Sequence, residues 1–331
     1  MNTILGIEST AHTFGVGIIT DKGIILANAK DMYQTTSGGM IPNEVVQHHE
    51  RVKEMVLHKA LTDAKLTMDQ IDVIAFSRGP GLTTSILKVG KELAISLALK
   101  HKKPIVGVNH SMAHLTIGDL ITKTKDPVYL YVSGPNTQVI AYAGERMRIF
   151  GETLDNGLGN ILDKFARDAG LGFPGGPKIE QLAKNSTTLV ELPYSVKGMD
   201  VSFAGMLTKA QQLLKTGTPI ADLCFSLQET SFAMLAEVAE RAMAHCDKKT
   251  LILIGGVAAN QRLCAMLDGM CKARKAVFKP VPLQYCGDQG AMIAWQGYLE
   301  FKHGGLMKCK LPAEIDVWQT ERVDEIPVTW R

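Results

Sequence analysis

Apolar positions at the start of the chain fall into two short runs, Ile4–Ile7 and Phe14–Ile19, split by a polar turn at Ser9–His12 and followed by the turn residues Asp21-Lys22-Gly23. That grouping predicts strand, turn, strand, turn, strand over TILGIESTAHTFGVGIITDKGIILANAK. From Pro42 to Ala64 the period changes to that of a helix, with Val45, Val46, Val52, Val56 and Leu61 on one recurring face. IDVIAFSRGPG reads as a buried strand ending in a Gly-Pro-Gly loop, Thr84 to Lys100 as a helix, and PIVGVNH as a short strand leading into His110. Pro127 opens a second version of the beginning, since VYLYVSGPNTQVIAYAG is again strand, Gly-containing turn, strand. This internal echo predicts two related domains. A long helix follows over Pro219 to His245, then LILIGGVAAN as a buried strand meeting a Gly-Gly loop, a helix from Gln261, and another over Asp288 to Lys302. The stretch from Lys308 to Arg331 carries little pattern. Alternating elements of this kind predict two α/β domains around a cleft, residues 1–125 and 126–295, with 296–331 as a C-terminal helix and tail packing back on the N-terminal domain.

Composition narrows the class. The 331 residues are 46% hydrophobic and 21% charged, as expected of a soluble globular protein of two domains. A net charge of +3 permits a nucleic-acid partner without requiring one. No apolar run approaches the ~20 residues that cross a bilayer, and MNTILGIEST does not read as a signal peptide. The six cysteines (Cys224, Cys246, Cys264, Cys271, Cys286, Cys309) show no CxxC spacing and read as buried or idle thiols of a reducing compartment. The expectation is a cytoplasmic protein without a membrane partner.

His110-Ser-Met-Ala-His114 is the first candidate for chemistry. Residues i and i+4 share a helix face, so both imidazoles can reach one ion, although such a pair needs remote groups to complete a site. A metalloprotease uses the same spacing but needs a glutamate directly after the first histidine, and here that position is Ser111. The turns Ser9-Thr10-Ala11 and Ser133-Gly134-Pro135-Asn136-Thr137, and the Gly255-Gly256 loop, are candidates for cradling phosphates and a nucleoside with backbone N–H groups. GxxxxGK[ST] is absent, which excludes a P-loop. Two related hairpins followed by strand, Gly-Gly and helix is the order of the actin/hexokinase/Hsp70-like (ribonuclease H-like) nucleotide-binding folds.

These segments also resemble one family. Val108-Asn109-His110-Ser-Met-Ala-His114, Tyr131-Val-Ser-Gly134 with Asn136-Thr-Gln138, Gly255-Gly-Val-Ala-Ala-Asn260 and Asp288-Gln-Gly-Ala-Met-Ile-Ala-Trp295 look like the tRNA N6-adenosine threonylcarbamoyltransferase family, whose archaeal and eukaryotic members are the catalytic subunit of the KEOPS complex. Ile7-Glu8-Ser-Thr-Ala-His12, Gly39-Met-Ile-Pro42, Ser77-Arg-Gly-Pro-Gly81 and Ser226-Leu-Gln-Glu229 fit as well, so the likeness runs in order from Leu5 to Trp295.

The resemblance implies that His110, His114, Tyr131 and Asp288 hold one metal per chain, iron as Fe2+ first and zinc second. These ligand types suit either ion. It sets Tyr131, Val132, Ser133, Gly134 and Pro135 against the phosphate and acyl part of the substrate, and Asp163, Gly176, Glu180 and Asn260 around an adenine nucleotide. The implied reaction passes the threonylcarbamoyl group from L-threonylcarbamoyladenylate to the N6 amine of the adenosine at position 37, beside the anticodon, in tRNAs reading ANN codons, releasing AMP. Glu8 is the candidate for helping that amine lose its proton. Implied partners are tRNA and KEOPS subunits, chiefly a small kinase-like ATPase, fused at the C-terminus in some members, and a small dimerising subunit. The helix face of Val45, Val52 and Val56 is a candidate dock for them unless it is buried in its own domain. The chain departs from the family at Pro135, where a second glycine is usual and where an N–H is therefore missing, at Asn43, and around Asp288. Two rivals remain: an actin-fold small-molecule kinase or ATPase, and a non-catalytic partner subunit.

Overall fold

Strands β1 (Thr3–Glu8) and β2 (Thr13–Thr20) are buried at every residue, which happens when helices cover both faces of a sheet. The structure is a computed structural model describing residues 2–34, 40–304 and 315–331, so Gly39 and Cys309 lie outside the described residues. The chain divides into two units, residues 1–121 with 288–331, and residues 122–287.

In the first unit β3 (Ile25–Met32) forms an edge, and β4 (Val73–Gly79) and β5 (Ile105–Asn109) add in parallel on the other side, giving the order β3-β2-β1-β4-β5. Helix α1 (Pro42–Ala64) starts with proline in its first turn, where the missing N–H costs nothing. Helix α2 (Thr84–His101) starts under the Thr83 hydroxyl, which accepts from Ile86 N. Val45, Val52 and Val56 are buried in this unit, so of the two readings of this face, dock or core, it is core. Helix α3 (His110–Thr122) follows β5 directly and is buried along its first nine residues.

The second unit repeats the plan. Strands β6 (Val128–Val132), β7 (Thr137–Ala143) and β8 (Arg146–Glu152) form the antiparallel part. After helices α4 (Leu158–Asp168) and α5 (Gly175–Ala183), the small hairpin β9 (Val196–Lys197) and β10 (Asp200–Val201), α6 (Ala204–Lys215) and α7 (Ile220–His245), strand β11 (Thr250–Ile254) returns beside β6. Helix α8 (Gln261–Ala273), β12 (Val277–Pro280) and the short α9 (Leu283–Cys286) complete it, with sheet order β12-β11-β6-β7-β8. Both sheets thus carry three antiparallel strands and two parallel ones in the same sequence, as the internal echo predicts.

The chain then comes back to the first unit as α10 (Gly290–His303). Residues 288–295, expected in the second domain, belong here for a steric reason. A Cβ on Gly17 would meet Ala291 N at 2.1 Å, one on Gly6 would meet Ala294 N at 2.2 Å, and one on Gly290 would meet Gly17 N at 2.0 Å. Only glycines let this helix lie with its backbone against β1 and β2.

Glu300 on α10 is buried, accepts from Gln296 Nε2 at 2.8 Å, and is pushed up to about 7 by burial, against the pull of Gln296 and Arg78. The fold keeps this proton where the unfolded chain loses it, so stability falls as pH rises from the ordinary carboxylate range through 7. Glu300→Gln is expected to leave the melting temperature unchanged near pH 4 and to raise it at pH 8, by roughly 2–3 kcal/mol of stability. Thermal melts at the two pH values check this.

Candidate metal centre and nucleotide-binding residues

The turn from β5 into α3 puts His110 and His114 one helical turn apart, with ring centroids 4.7 Å from one another. Asp288 lies two residues ahead of α10 and reaches both of them: its Oδ1 is 3.4 Å from His110 Nε2 and 3.3 Å from His114 Nε2. One ligand atom from each of the three residues falls within 4.8 Å of the others. His12, quoted in the sequence only as part of a motif, has its Nδ1 3.8 Å from Asp288 Oδ2. Its signal was weak, because one histidine in a polar turn has no spacing to mark it.

Glu8 closes the back of the cluster. It is fully buried, and its Oε1 accepts from Thr10 N at 2.7 Å and Thr10 Oγ1 at 2.6 Å. Its Oε2 is 2.9 Å from His110 Nδ1. A carboxylate on Nδ1 fixes the ring and leaves Nε2 facing the partner group, as at many metal-bound histidines. Burial works against an imidazolium at His110, yet Glu8 and Asp288 outweigh it and raise the group to about 10. His114 is lowered by burial, with the neighbouring His110 acting in the same direction. Asp288 is held well below the ordinary range: burial opposes its charge, and the two histidines more than compensate. Two imidazole nitrogens and a carboxylate oxygen suit zinc or iron, not magnesium or calcium.

The remaining expected residues sit in the second unit. Tyr131 is buried on β6, paired with Gln138 on β7 and Ile254 on β11. The following turn is tied to itself: Ser133 N donates to Asn136 O at 2.8 Å, and Asn136 N to Ser133 Oγ at 3.1 Å. It also caps α4, because Ser133 O accepts from Gly159 N and Gly134 O from Asn160 N. With Pro135 lacking an N–H, the donors of this turn are few. Gly255, at φ 101°, lies so close that a Cβ would sit 2.3 Å from Val132 O.

Asp163 on α4, Gly176 and Glu180 on α5, and Asn260 ahead of α8 form a connected series. Asp163 Oδ1 accepts from Gly175 N at 2.7 Å. Burial raises its carboxyl while the Gly175 and Gly176 N–H groups pull the other way. Glu180 Oε1 accepts from Gln261 N at 2.9 Å. Asn260 Oδ1 caps α8 by accepting from Arg262 N and Leu263 N, while its Nδ2 donates to Gln228 Oε1 at 2.6 Å. Gly176 has nothing within 4 Å of where a Cβ would stand. Gln228 was legible only as part of the Ser226-Leu-Gln-Glu229 motif.

Comparison with known proteins decides the family. The family described as tRNA N6-adenosine threonylcarbamoyltransferase matches residues 24–295. The chain belongs to this family. A tRNA N6-adenosine threonylcarbamoyltransferase of Thermococcus kodakarensis is 51% identical over 98% of this chain and 99% of its own length, and one from Thermofilum pendens is 49% identical over 99% and 97%. A probable bifunctional tRNA threonylcarbamoyladenosine biosynthesis protein of Methanocaldococcus jannaschii is 47% identical over 98% of this chain, which spans 60% of that longer protein. Among solved structures, HypF of T. kodakarensis superposes with a TM-score of 0.60 at 15% identity, covering 90% of this chain and 47% of HypF. Component A of the (R)-2-hydroxyglutaryl-CoA dehydratase of Acidaminococcus fermentans gives 0.55 at 14%, covering 90% and 98%. At such identities these two speak for the fold alone, and it is the expected actin/hexokinase/Hsp70-like one. Among the described residues of this threonylcarbamoyltransferase-family chain, no helix is long and apolar enough to cross a membrane.

A proton on His110 must leave before Nε2 can bind a metal. Since that group is raised to about 10, zinc binding at pH 7 is expected to release about one proton, and apparent affinity to climb roughly tenfold per pH unit from 7 to 9. Calorimetry in buffers of different ionisation enthalpy measures the released proton directly.

Proposed function

We propose that this chain is the transferase that forms threonylcarbamoyladenosine in tRNA. It would take the threonylcarbamoyl group from L-threonylcarbamoyladenylate, join it to the N6 amine of the adenosine at position 37 in tRNAs reading ANN codons, and release AMP. The observation that carries this reading is the convergence of His110, His114 and Asp288 in a chain of this family. An actin-fold kinase or an inactive partner subunit has no use for that set.

His110, His114 and Asp288 would hold one transition metal, iron before zinc. When bound, the metal supplies Lewis-acid polarisation of the mixed anhydride, worth several kcal/mol of developing charge. The chain's own residues do the rest. Glu8, whose oxygens face Thr10 and His110, serves better as the group that orients His110 than as the base for the amine. The Tyr131–Pro135 segment is assigned to the phosphate and acyl part. Asp163, whose carboxyl is already met by the Gly175 and Gly176 N–H groups, is assigned to the ribose hydroxyls, which suit a carboxylate acceptor. Gly176 leaves room for the nucleoside, while Glu180 and Asn260 shape the start of α8 beside it.

A net charge of +3 supplies few of the phosphate contacts on which tRNA affinity depends. The chain is therefore assigned helper subunits of the KEOPS kind, chiefly a small kinase-like ATPase and a small dimerising subunit, and a cytoplasmic setting. The word bifunctional in the name of the longer M. jannaschii relative is in keeping with such a helper being fused in some members.

Two outcomes are expected. Modification of tRNA with the adenylate as donor should be slow with the isolated chain and fast once partners are added; no product in either case would refute the transferase reading. Gly176→Ala should fold normally, because its Cβ meets no protein atom, yet weaken AMP binding in calorimetry roughly tenfold, about 1.4 kcal/mol. Asp163→Ala should cost about 1.5–3 kcal/mol in the same measurement.

A further inference from the structure

The tail from residue 315 onward, patternless in sequence, is seated on the first unit by hydrogen bonds arranged around a buried ion pair. Trp318 N donates to Arg78 O at 2.8 Å, Gly81 N donates to Gln319 O at 3.1 Å, and Gln319 Nε2 donates to Leu82 O at 3.1 Å. The tail backbone comes so near β4 that a Cβ on Gly79, at φ 151°, would lie 1.8 Å from Trp318 O. At the centre stands Glu321. Its carboxylate takes Arg78 Nη2 at 2.6 Å and Arg78 Nε at 3.1 Å, while the Trp318 ring covers the same guanidinium at 4.6 Å. Both charged side chains are about 95% buried or more, at 3% and 5% exposed. Two charges are taken out of water only where their bonding is nearly complete.

The third bond of Glu321 gives the tail its reach. Asn109 Nδ2 donates to Glu321 Oε2 at 3.0 Å, and Asn109 Oδ1 accepts from Met112 N at 2.8 Å. Asn109 therefore caps α3 with one end of its amide while Glu321 fixes the other. The next residue is His110. At the far end of the same helix, Arg331 forms an ion pair with Asp119. One segment thus grips α3 at both ends, and α3 carries both histidines of the proposed metal centre.

We propose that Glu321 is a positioning residue for the metal centre, acting through Asn109 on the ring orientation of His110. The inference rests on the metal reading given above. His110 must face Glu8 with Nδ1 and Asp288 with Nε2 at once, so a small rotation of the first turn of α3 spoils both contacts. Partners behind a ligand commonly change metal affinity ten- to a hundredfold when removed.

The test uses the full chain stripped of metal, with zinc titrated against a chromophoric chelator and thermal melts run beside it. Glu321→Gln is expected to weaken zinc binding at least tenfold. Asn109→Ser, which keeps a capping oxygen for α3 but loses the donor to Glu321, should weaken it to a similar degree, and the double variant should bind no worse than the poorer single. Val323→Ala, a buried tail position without polar contact to Asn109, should lower the melting temperature and leave zinc affinity unchanged. Zinc affinity within twofold of wild type in both Glu321→Gln and Asn109→Ser would overturn the inference alone. So would an equal loss in Val323→Ala, which would make the effect one of general stability. A wild-type chain that binds no zinc would overturn the metal reading and this inference together.

Discussion

The contact on which the first unit depends is the bare approach of α10 to β1 and β2. Four glycines, Gly6, Gly15, Gly17 and Gly290, remove the side chains that would otherwise hold helix and sheet apart. Helix on sheet usually packs through interdigitated side chains, and here backbone meets backbone. Asp288, two residues before the helix, is carried by this approach to within hydrogen-bonding reach of two histidines that precede it by most of the chain. Any side chain added in the interface shifts that carboxylate, so the packing constraint and the chemical one are the same constraint.

The electrostatics of the cluster follow from its burial. Glu8 and Asp288 place carboxyl groups on either side of the buried His110, and a cation between them balances the arrangement. A proton on His110 is one such cation; a divalent metal is another. The protein therefore presents a place where the two compete, and the preference between them is set by pH. The second unit uses its polar groups differently: Asp163, Glu180 and Asn260 each spend one oxygen on a backbone N–H at a helix start. Their placement is rigid before any ligand arrives.

Much of this was legible in the sequence, for reasons that differ by residue. The two hairpins, the helix over 42–64 and the repeated sheet plan were readable because period and turn chemistry are local. His110 and His114 were readable because a helix turns fixed spacing into shared direction. Asp288 was legible only through family likeness, since nothing near it in the chain reports the glycine packing that brings it back. The domain boundary was misplaced for the same reason: residues 288–295 look like a continuation of the second domain until the glycines of β1 and β2 are seen beneath them. The packing of the tail on the N-terminal domain was expected, and it groups there, but its individual contacts could not be read. Its ties to β4 and α3 are between single polar residues far apart in sequence, and such pairs leave no periodic trace.

The order of these parts along the chain has a consequence for synthesis. His110 and His114 are made first, the whole second unit follows, and only then does Asp288 emerge. At ordinary translation rates the interval is on the order of ten to thirty seconds. Throughout it, a growing polypeptide offers two imidazoles and the carboxylate of Glu8 without the third member of the cluster. Until Asp288 is made, the cluster of His110, His114 and Asp288 is therefore incomplete.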